Sequence, residues 1–174
     1  MPQLIKQGEV QDDSWVVIEK DADVSKLELD ANKKLILPLA IWLAHSDQVE
    51  GNANIGLWLD SDEEPLAIGA LDASLTTARC KSLQIIAINF PAFTDGRGYS
   101  YARQLRDRFS YSHELRAIGD VLHDQLFFYQ RCGFDSFVVR EDRNIKQALE
   151  GLQDFSVVYQ STNDNTMPAY RRRS

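Results

Sequence analysis

The sequence has little cysteine, and this scarcity excludes several kinds of metal and redox site. Only 2 of its 174 residues are Cys, and Cys80 and Cys132 lie outside any Cys-x-x-Cys spacing. They cannot supply the thiolates of an iron–sulfur cluster or the usual ligands of a structural zinc site. We therefore expect free thiols and no iron–sulfur cluster. Cys132 is interpreted as a packing residue at a helix end, with a redox-active thiol as the alternative.

Recognisable catalytic and cofactor motifs are also absent. The 3 His residues, His45, His113 and His123, form no H-E-x-x-H pattern. The chain has no G-x-S-x-G sequence, no P-loop and no G-x-G-x-x-G dinucleotide fingerprint. It has no haem-attachment motif either. The sequence thus assigns no catalytic residue and no metal ligand, and it leaves the cofactor unknown.

The chain is poor in positive charge and in long apolar runs. It has 19 Lys+Arg against 26 Asp+Glu, a formal net charge of -7. An acidic surface repels nucleic acids and anionic membranes. The longest apolar stretch, residues 35–44, is far shorter than the roughly 20 residues that span a bilayer, and the first residues lack a signal-peptide pattern. We expect a cytoplasmic protein with neither a nucleic-acid nor a membrane partner.

The chain does have a regular alternation of apolar runs and amphipathic stretches, within an apolar content of 44%. The predicted strands cover 15–18, 54–59, 84–90, 114–118, 135–139 and 155–159. The predicted helices cover 35–49, a stretch from the acidic run at 60–65 to about 78, and then 99–109, 121–131 and 145–149. We divide the chain into a polar N-terminal segment with a short strand (1–34), a single α/β domain (35–159) and a flexible tail (160–174).

This alternation predicts βα units and a mainly parallel sheet. The sheet is either an open, doubly wound one or a curved one that forms part of a (βα) barrel. Arg116 falls in the middle of the 114–118 strand. Because a charge is easier to place facing a polar interior than under a layer of helices, Arg116 favours the curved, barrel-like form.

The turn after the 84–90 strand is the densest candidate site. It contains Asp95, Gly96, Arg97, Gly98 and Ser100. The two glycines permit a tight turn, and the backbone N–H groups that follow would open a helix beside an arginine, which is an arrangement that binds anions. The structural alternative is a turn capped by Asp95 or Ser100, with Arg97 paired to a nearby carboxylate.

The turn after the 114–118 strand carries Asp120, Asp124 and Gln125. Asp120 stands at a helix N-cap position, where capping is the simplest role. A carboxylate pair at the spacing of Asp120 and Asp124 could also hold a divalent cation. Successive strands of a parallel sheet end at the same edge, so we expect Asp95, Arg97, Arg116, Asp120 and Asp124 to lie together there. Arg116 is expected to pair with Asp95 or Asp120, with substrate contact as the alternative.

Three stretches together carry a family resemblance. They are Phe90–Arg106 (FPAFTDGRGYSYARQLR), Glu114–Leu126 (ELRAIGDVLHDQL) and Arg131–Phe137 (RCGFDSF). The chain resembles the bacterial domain of unknown function 934 family over roughly residues 35–140.

The resemblance implies a link to sulfite reduction, because members of that family are typically encoded beside assimilatory sulfite reductase and are often labelled oxidoreductases for that reason. We interpret the chain as an accessory or small-anion-binding protein of sulfate assimilation, with sulfite reductase or a small oxyanion as its partner. The alternative is a (βα) enzyme that acts on an anionic small molecule at the C-terminal ends of the strands. Whether the chain is an enzyme is left open.

Overall fold

The computed structural model describes residues 3–23, 29, 32–140, 144–150 and 152. Within these residues the strands join one sheet of eight, in the order β2-β1-β8-β7-β6-β5-β4-β3. The strands are β1 (Gln3–Lys6), β2 (Glu9–Asp12), β3 (Trp15–Val17), β4 (Lys34–Pro38), β5 (Ile55–Leu59), β6 (Ile85–Phe90), β7 (Glu114–Gly119) and β8 (Ser136–Phe137).

The sheet is mainly parallel and curled. Every neighbouring pair from β3 to β8 is parallel, whereas β1 pairs antiparallel with both β2 and β8. The edge strands β2 and β3 are separated along the chain only by Asp13 and Ser14. Because so short a link spans at most roughly 11 Å, the two edges of the sheet must approach each other. The α/β class and the curved, half-barrel form of the sheet are therefore as predicted.

Six α-helices follow or connect the strands in the described part of the chain. They are α1 (Leu39–Ala44), α2 (Ser46–Val49), α3 (Ala73–Ser82), α4 (Arg97–Arg103), α5 (Leu126–Cys132) and α6 (Ile145–Glu150). A 3-10 helix covers Pro65–Gly69, another covers His123–Gln125, and a π-turn covers Gln104–Arg108.

Both faces of the central strands are buried, as near-continuous apolar runs in a parallel sheet predict. Alternate strand residues enter two separate apolar clusters. The larger cluster holds Leu57, Ile88 and Leu115 together with helix residues such as Trp42 and Leu105. The smaller cluster holds the intervening strand residues Ile36, Trp58, Ile85, Ala87 and Ile118. The helices therefore cover one face of the sheet, and the second face is turned into the curl.

The inner face also carries a buried charged network centred on Arg116. The two Nη1 contacts of its guanidinium with the Asp13 carboxylate measure 2.9 and 2.8 Å. Its Nη2 donates to Glu114 Oε1 at 2.8 Å, and Ser136 Oγ donates to the same oxygen at 2.7 Å. Arg116 is 1% exposed and Asp13 is 7% exposed, so this ion pair spans the interior and ties the centre of the sheet to the link between its edges.

The structure corrects the predicted helix over 35–49. Residues 34–38 form strand β4, and helix α1 begins only at Leu39. Leu35, Ile36 and Leu37 are all buried and contribute to both faces of the sheet. A short apolar run of this kind cannot be assigned to a helix or a strand by periodicity alone, and β-sheet pairing with β3 and β5 decided it.

Two other predicted helices begin later than expected. The stretch that was predicted as one helix to about residue 78 is broken at Ala70 and Leu71, whose φ angles of 50 and 70° are left-handed. The helix predicted from Val121 begins only with the 3-10 turn at His123 and becomes α-helical at Leu126. It ends at Gly133 in the left-handed C-cap conformation, as predicted.

The N-terminal segment contributes more of the sheet than its one predicted strand. Besides β3, the hairpin of β1 and β2 extends the sheet beside β8. The predicted strand over 155–159 and the tail over 160–174 lie outside the described residues. The other predicted strands are present with shifted ends.

Replacing Asp13 by Ala should lower the free energy of unfolding by about 3 kcal/mol, because it leaves the buried Arg116 guanidinium with part of its charge unpaired. Urea denaturation of the wild type and the variant, followed by circular dichroism, measures the difference.

The matched control is Asp107→Ala, which removes the partner of Arg103 in an ion pair whose side chains are 42% and 56% exposed. An exposed pair of this kind contributes at most about 0.5 kcal/mol. Equal losses of stability in the two variants would contradict the inference that the Asp13–Arg116 ion pair holds the link between the edge strands.

Candidate functional site

The turns that follow β5, β6 and β7 meet at the C-terminal edge of the sheet. The sequence predicted this meeting for the turns after β6 and β7, because parallel strands end at the same edge. Hydrogen bonds of side chains connect β6 and the turn after it to the turns after β5 and β7. We call residues 91–97, which follow β6, the central loop. It lies between the turn after β5 and the turn after β7.

The central loop is held on one side by a network around Arg97. The guanidinium donates to both carboxylate oxygens of Asp95, Nε to Oδ1 at 3.0 Å and Nη2 to Oδ2 at 2.7 Å. Nη2 also donates to Ser61 Oγ at 2.9 Å, in the turn after β5. Hydrogen bonds from the side chain and backbone of Arg97 lower the pKa of Asp95 to about 2. Arg97 is thus paired with a carboxylate, as the structural alternative for this turn predicted.

The two glycines of the turn differ in their surroundings. Neither has a positive φ. Gly98 is buried at the start of α4, and a Cβ on it would lie 2.5 Å from the Phe90 ring and 3.0 Å from Ile88 Cγ2. Gly96 is exposed, and a Cβ there would meet nothing nearer than Tyr99 Cδ2 at 4.0 Å. Gly98 therefore serves the close packing of α4 on β6, which differs from the predicted role of exposing backbone N–H groups. Ser100 is exposed.

The other side of the central loop is held by Asp120 and Gln125. Asp120 Oδ2 accepts from the backbone N–H of Phe93 at 3.0 Å, and its Oδ1 accepts from Arg140 Nη1 at 2.7 Å. Gln125 Nε2 donates to the carbonyl oxygen of Phe93 at 3.1 Å. The prediction that Asp120 caps the helix that follows it is therefore wrong, because its carboxylate binds the backbone of the neighbouring central loop. Asp124 is exposed in the 3-10 turn.

A further group at this edge was not predicted from the sequence. Asp60, the first residue after β5, accepts from Asn89 Nδ2 at 3.0 Å and pairs with Lys20 Nζ at 2.6 Å. Burial acts to raise the pKa of Asp60, but the hydrogen bonds from Lys20 and Asn89 outweigh it, so the pKa lies below its ordinary value. The sequence indicated these two residues only by their positions, because Asp60 and Asn89 lie at the ends of apolar runs.

Arg116 does not join this edge. Its guanidinium contacts Asp13, Glu114 and Ser136 on the inner face of the sheet. The expectation that it pairs with Asp95 or Asp120 is therefore wrong, while the expectation that it faces a polar interior is confirmed. The error arose because the strand position of Arg116 does not determine whether its long side chain turns towards one end of the strand or the other.

The central loop and α5 each present an exposed aromatic side chain near this edge of the sheet. Phe93 is 51% exposed and Phe128 is 49% exposed. The ring of Tyr99 lies 4.8 Å from that of Phe128 and 5.2 Å from that of Phe90, centroid to centroid. Gln125, which precedes Phe128 by three residues, donates a hydrogen bond to the carbonyl oxygen of Phe93. We call Phe93, Tyr99 and Phe128 the aromatic patch.

Two features of the described residues bear on metal and thiol chemistry, the placement of metal-ligating side chains and the surroundings of the thiols. Within them, no group of three or more His, Cys, Asp or Glu side chains is placed to hold a metal ion. Cys80 and Cys132 are both buried, and neither forms a disulfide. Burial raises the pKa of Cys80 to about 12 and also raises that of Cys132. A raised thiol pKa disfavours the reactive thiolate. In the same residues, no helix combines the length and apolar character needed to cross a membrane.

The fold and this edge define an α/β protein with a curled, mainly parallel sheet whose C-terminal turns are cross-linked by hydrogen bonds and ion pairs. The model of a family described as "Bacterial protein of unknown function (DUF934)" matches residues 56–170. The chain belongs to this family, and the match contains the central loop and the turn after β7. No curated protein and no solved structure matches the chain.

Replacing Arg97 by Gln should raise the pKa of Asp95 from about 2 towards its ordinary value of 3.8, because the donors that favour the ionised carboxylate are lost. The stabilising effect of this pair is present above the ordinary pKa and is lost as the pH falls through the lower value. Carboxyl-carbon NMR titration of Asp95 measures the pKa directly. Arg103→Gln, which removes a charge not bonded to Asp95, is the control, and an equal shift in both variants would refute the assigned cause.

Replacing Gly98 by Ala should destabilise the protein by about 1–3 kcal/mol, because the new methyl group overlaps the buried Phe90 ring. Gly96→Ala is the matched control in the same turn, and we expect it to change the free energy of unfolding by less than about 1 kcal/mol. Thermal and urea denaturation measure both variants. Similar stabilities for the two would show that the close approach of α4 to β6 does not require Gly98.

Proposed function

We propose that the protein is a non-catalytic accessory protein of sulfite reduction, which docks on the sulfite-reducing enzyme through its aromatic patch. The observation that carries the proposal is the central loop, whose backbone is held on both sides while Phe93 stays exposed at its surface. Large aromatic side chains held in place at a surface are typical of the residues that contribute most to protein–protein binding.

The polar residues around the loop support a binding role over a catalytic one. Asp95 and Arg97 neutralise each other, and Asp120 is shared between the Phe93 N–H and Arg140. A catalytic group needs a free proton-transfer or nucleophilic atom directed at a substrate. These side chains instead serve as supports that hold the central loop.

The sulfite-reduction part of the proposal comes from the family resemblance, since members are encoded beside assimilatory sulfite reductase. An accessory role requires no redox cofactor in this chain, which agrees with the lack of any cofactor motif in its sequence. The proposal also places the protein in the cytoplasm, where assimilatory enzymes act.

Oxyanion binding at the 95–100 turn is the second candidate. One observation favours it: the Arg97 side chain is 56% exposed despite its pairing with Asp95. A sulfite or sulfate ion would have to compete with the Asp95 carboxylate for the same guanidinium. Calorimetry with sulfite, sulfate and phosphate tests it. If this turn is the site, Arg97→Ala should weaken binding by about 1.5–3 kcal/mol, the value of a charge-assisted hydrogen bond.

For the accessory role, the expected result is saturable binding of the purified protein to purified assimilatory sulfite reductase. The double variant Phe93→Ala/Phe128→Ala should weaken this binding at least tenfold, about 1.4 kcal/mol, because it removes both exposed rings. Biolayer interferometry and sedimentation velocity measure the affinity and the size of the complex.

The matched control is Leu71→Ala/Leu75→Ala, which truncates two apolar side chains that are 74% and 39% exposed on a different segment. Absence of wild-type binding, or equal weakening by the control, would overturn docking through the aromatic patch. Reduction of sulfite by the isolated chain with a chemical electron donor would overturn the non-catalytic role.

A further inference from the structure

An open depression of about 480 Å³ lies at the N-terminal end of the parallel strands, away from the central loop. Most of its lining comes from the first residues of the parallel strands and from the residues just before them, and Lys6 adds the last residue of the antiparallel strand β1. Trp15 and Lys34 are the first residues of β3 and β4. The residues that directly precede β5, β6 and β7 are Asn54, Gln84 and His113. We call it the basal depression.

The charge of this lining differs from the charge of the chain as a whole. The chain has a net charge of -7, yet the lining includes Lys6 and Lys34 with only one carboxylate, that of Glu114. Both oxygens of Glu114 are already engaged. Oε2 pairs with Lys6 Nζ at 2.5 Å, and Oε1 accepts from Arg116 Nη2 at 2.8 Å.

Because Glu114 is engaged by Lys6 and Arg116, Lys34 remains a cation that no carboxylate of the described residues neutralises. Its Nζ lies 5.6 Å from the centroid of the Trp15 ring, a cation–π contact that directs the ammonium group without cancelling its charge. The side-chain amides of Asn54 and Gln84 make no hydrogen bond to other described residues, so their N–H groups are available as donors at the same wall.

We infer that the basal depression binds the oxyanion group of a small phosphate or sulfate compound, with Lys34 as the main charged contact. An ammonium group and neutral amide donors are the groups that recognise such anions. The depression is larger than a bare tetrahedral anion, and ligand pockets of roughly 300–1,000 Å³ accept small organic molecules. The group therefore comes either as a free inorganic ion or as part of a small organic ester.

This site is independent of the proposed docking surface. The aromatic patch follows the C-terminal ends of β6 and β7, whereas the basal depression lies at the opposite ends of the strands. Loss of Phe93 and Phe128 leaves its lining unchanged, and loss of Lys34 leaves the aromatic patch unchanged. Failure of one proposal therefore does not imply failure of the other.

Trp15 supplies a spectroscopic probe for the test. Of the three tryptophans, Trp42 and Trp58 are 0% and 5% exposed, while Trp15 is half-buried in the wall of the depression. Titration of the wild-type protein with inorganic phosphate, inorganic sulfate or adenosine 5′-monophosphate should give a saturable change in tryptophan emission. Trp15→Phe should abolish the change, and calorimetry should still detect binding to that variant.

Lys34→Gln should weaken binding of the anions roughly tenfold or more, because a charge-assisted contact is lost. Lys81→Gln is the matched control: it makes the same change in net charge at an exposed lysine near the end of α3, outside the depression. It should leave the affinity unchanged. Thermal denaturation verifies that both variants remain folded.

Comparison of the three titrations identifies the source of the oxyanion. Tighter binding of adenosine 5′-monophosphate than of inorganic phosphate indicates an organic ester, and equal binding indicates the inorganic group. The inference is overturned if none of the three gives saturable binding below roughly 10 mM. It is also overturned if Lys34→Gln binds as well as the wild type, or if Lys81→Gln loses as much affinity.

Discussion

The buried ion pair of Arg116 and Asp13 is the interaction on which the curled form of the sheet depends. Arg116 sits in the middle of β7, whereas Asp13 belongs to the link between the two edge strands. Arg116 Nη1 donates to both oxygens of the Asp13 carboxylate, at 2.8 and 2.9 Å, across the inner face of the curl. Because both groups are desolvated, each needs the other to offset the cost of its burial. The pair thereby specifies where the edge strands lie relative to the centre of the sheet.

The two ends of the sheet use charged groups in different ways. At the C-terminal edge, charged side chains pair with each other, as Arg97 does with Asp95 and Arg140 with Asp120. These pairs hold the central loop while Phe93 stays exposed. At the N-terminal end, Glu114 is engaged by Lys6 and Arg116, which leaves the charge of Lys34 without a carboxylate partner among the described residues. The first arrangement suits contact with a protein, and the second suits an anion.

Much of the architecture could be predicted from local patterns, and the errors have identifiable physical causes. Apolar runs such as 85–90 indicated strands buried on both faces, and Gly133 marked the end of α5. The run 35–38 was assigned to a helix because a short apolar segment has no distinguishing period. The hairpin of β1 and β2 was missed, since each strand has only four residues that mix apolar with polar side chains. Its place in the sheet comes from the pairing of β1 with β8, which lies far away along the chain. For the site, chain order correctly placed the central loop beside Asp120, because parallel strands end at one edge.

The sequence by itself determined the α/β class, the mainly parallel character of the sheet and the family, because these follow from periodicity and from long local motifs. Only the tertiary structure decided which charges meet. Arg116 reaches Asp13, which is 103 residues away along the chain, and Asp120 binds the backbone of Phe93 instead of its own helix. Side-chain pairing of this kind depends on the curvature of the sheet and on rotamer directions. Neither is encoded in the spacing of residues along the chain, since both arise only when distant strands are packed together.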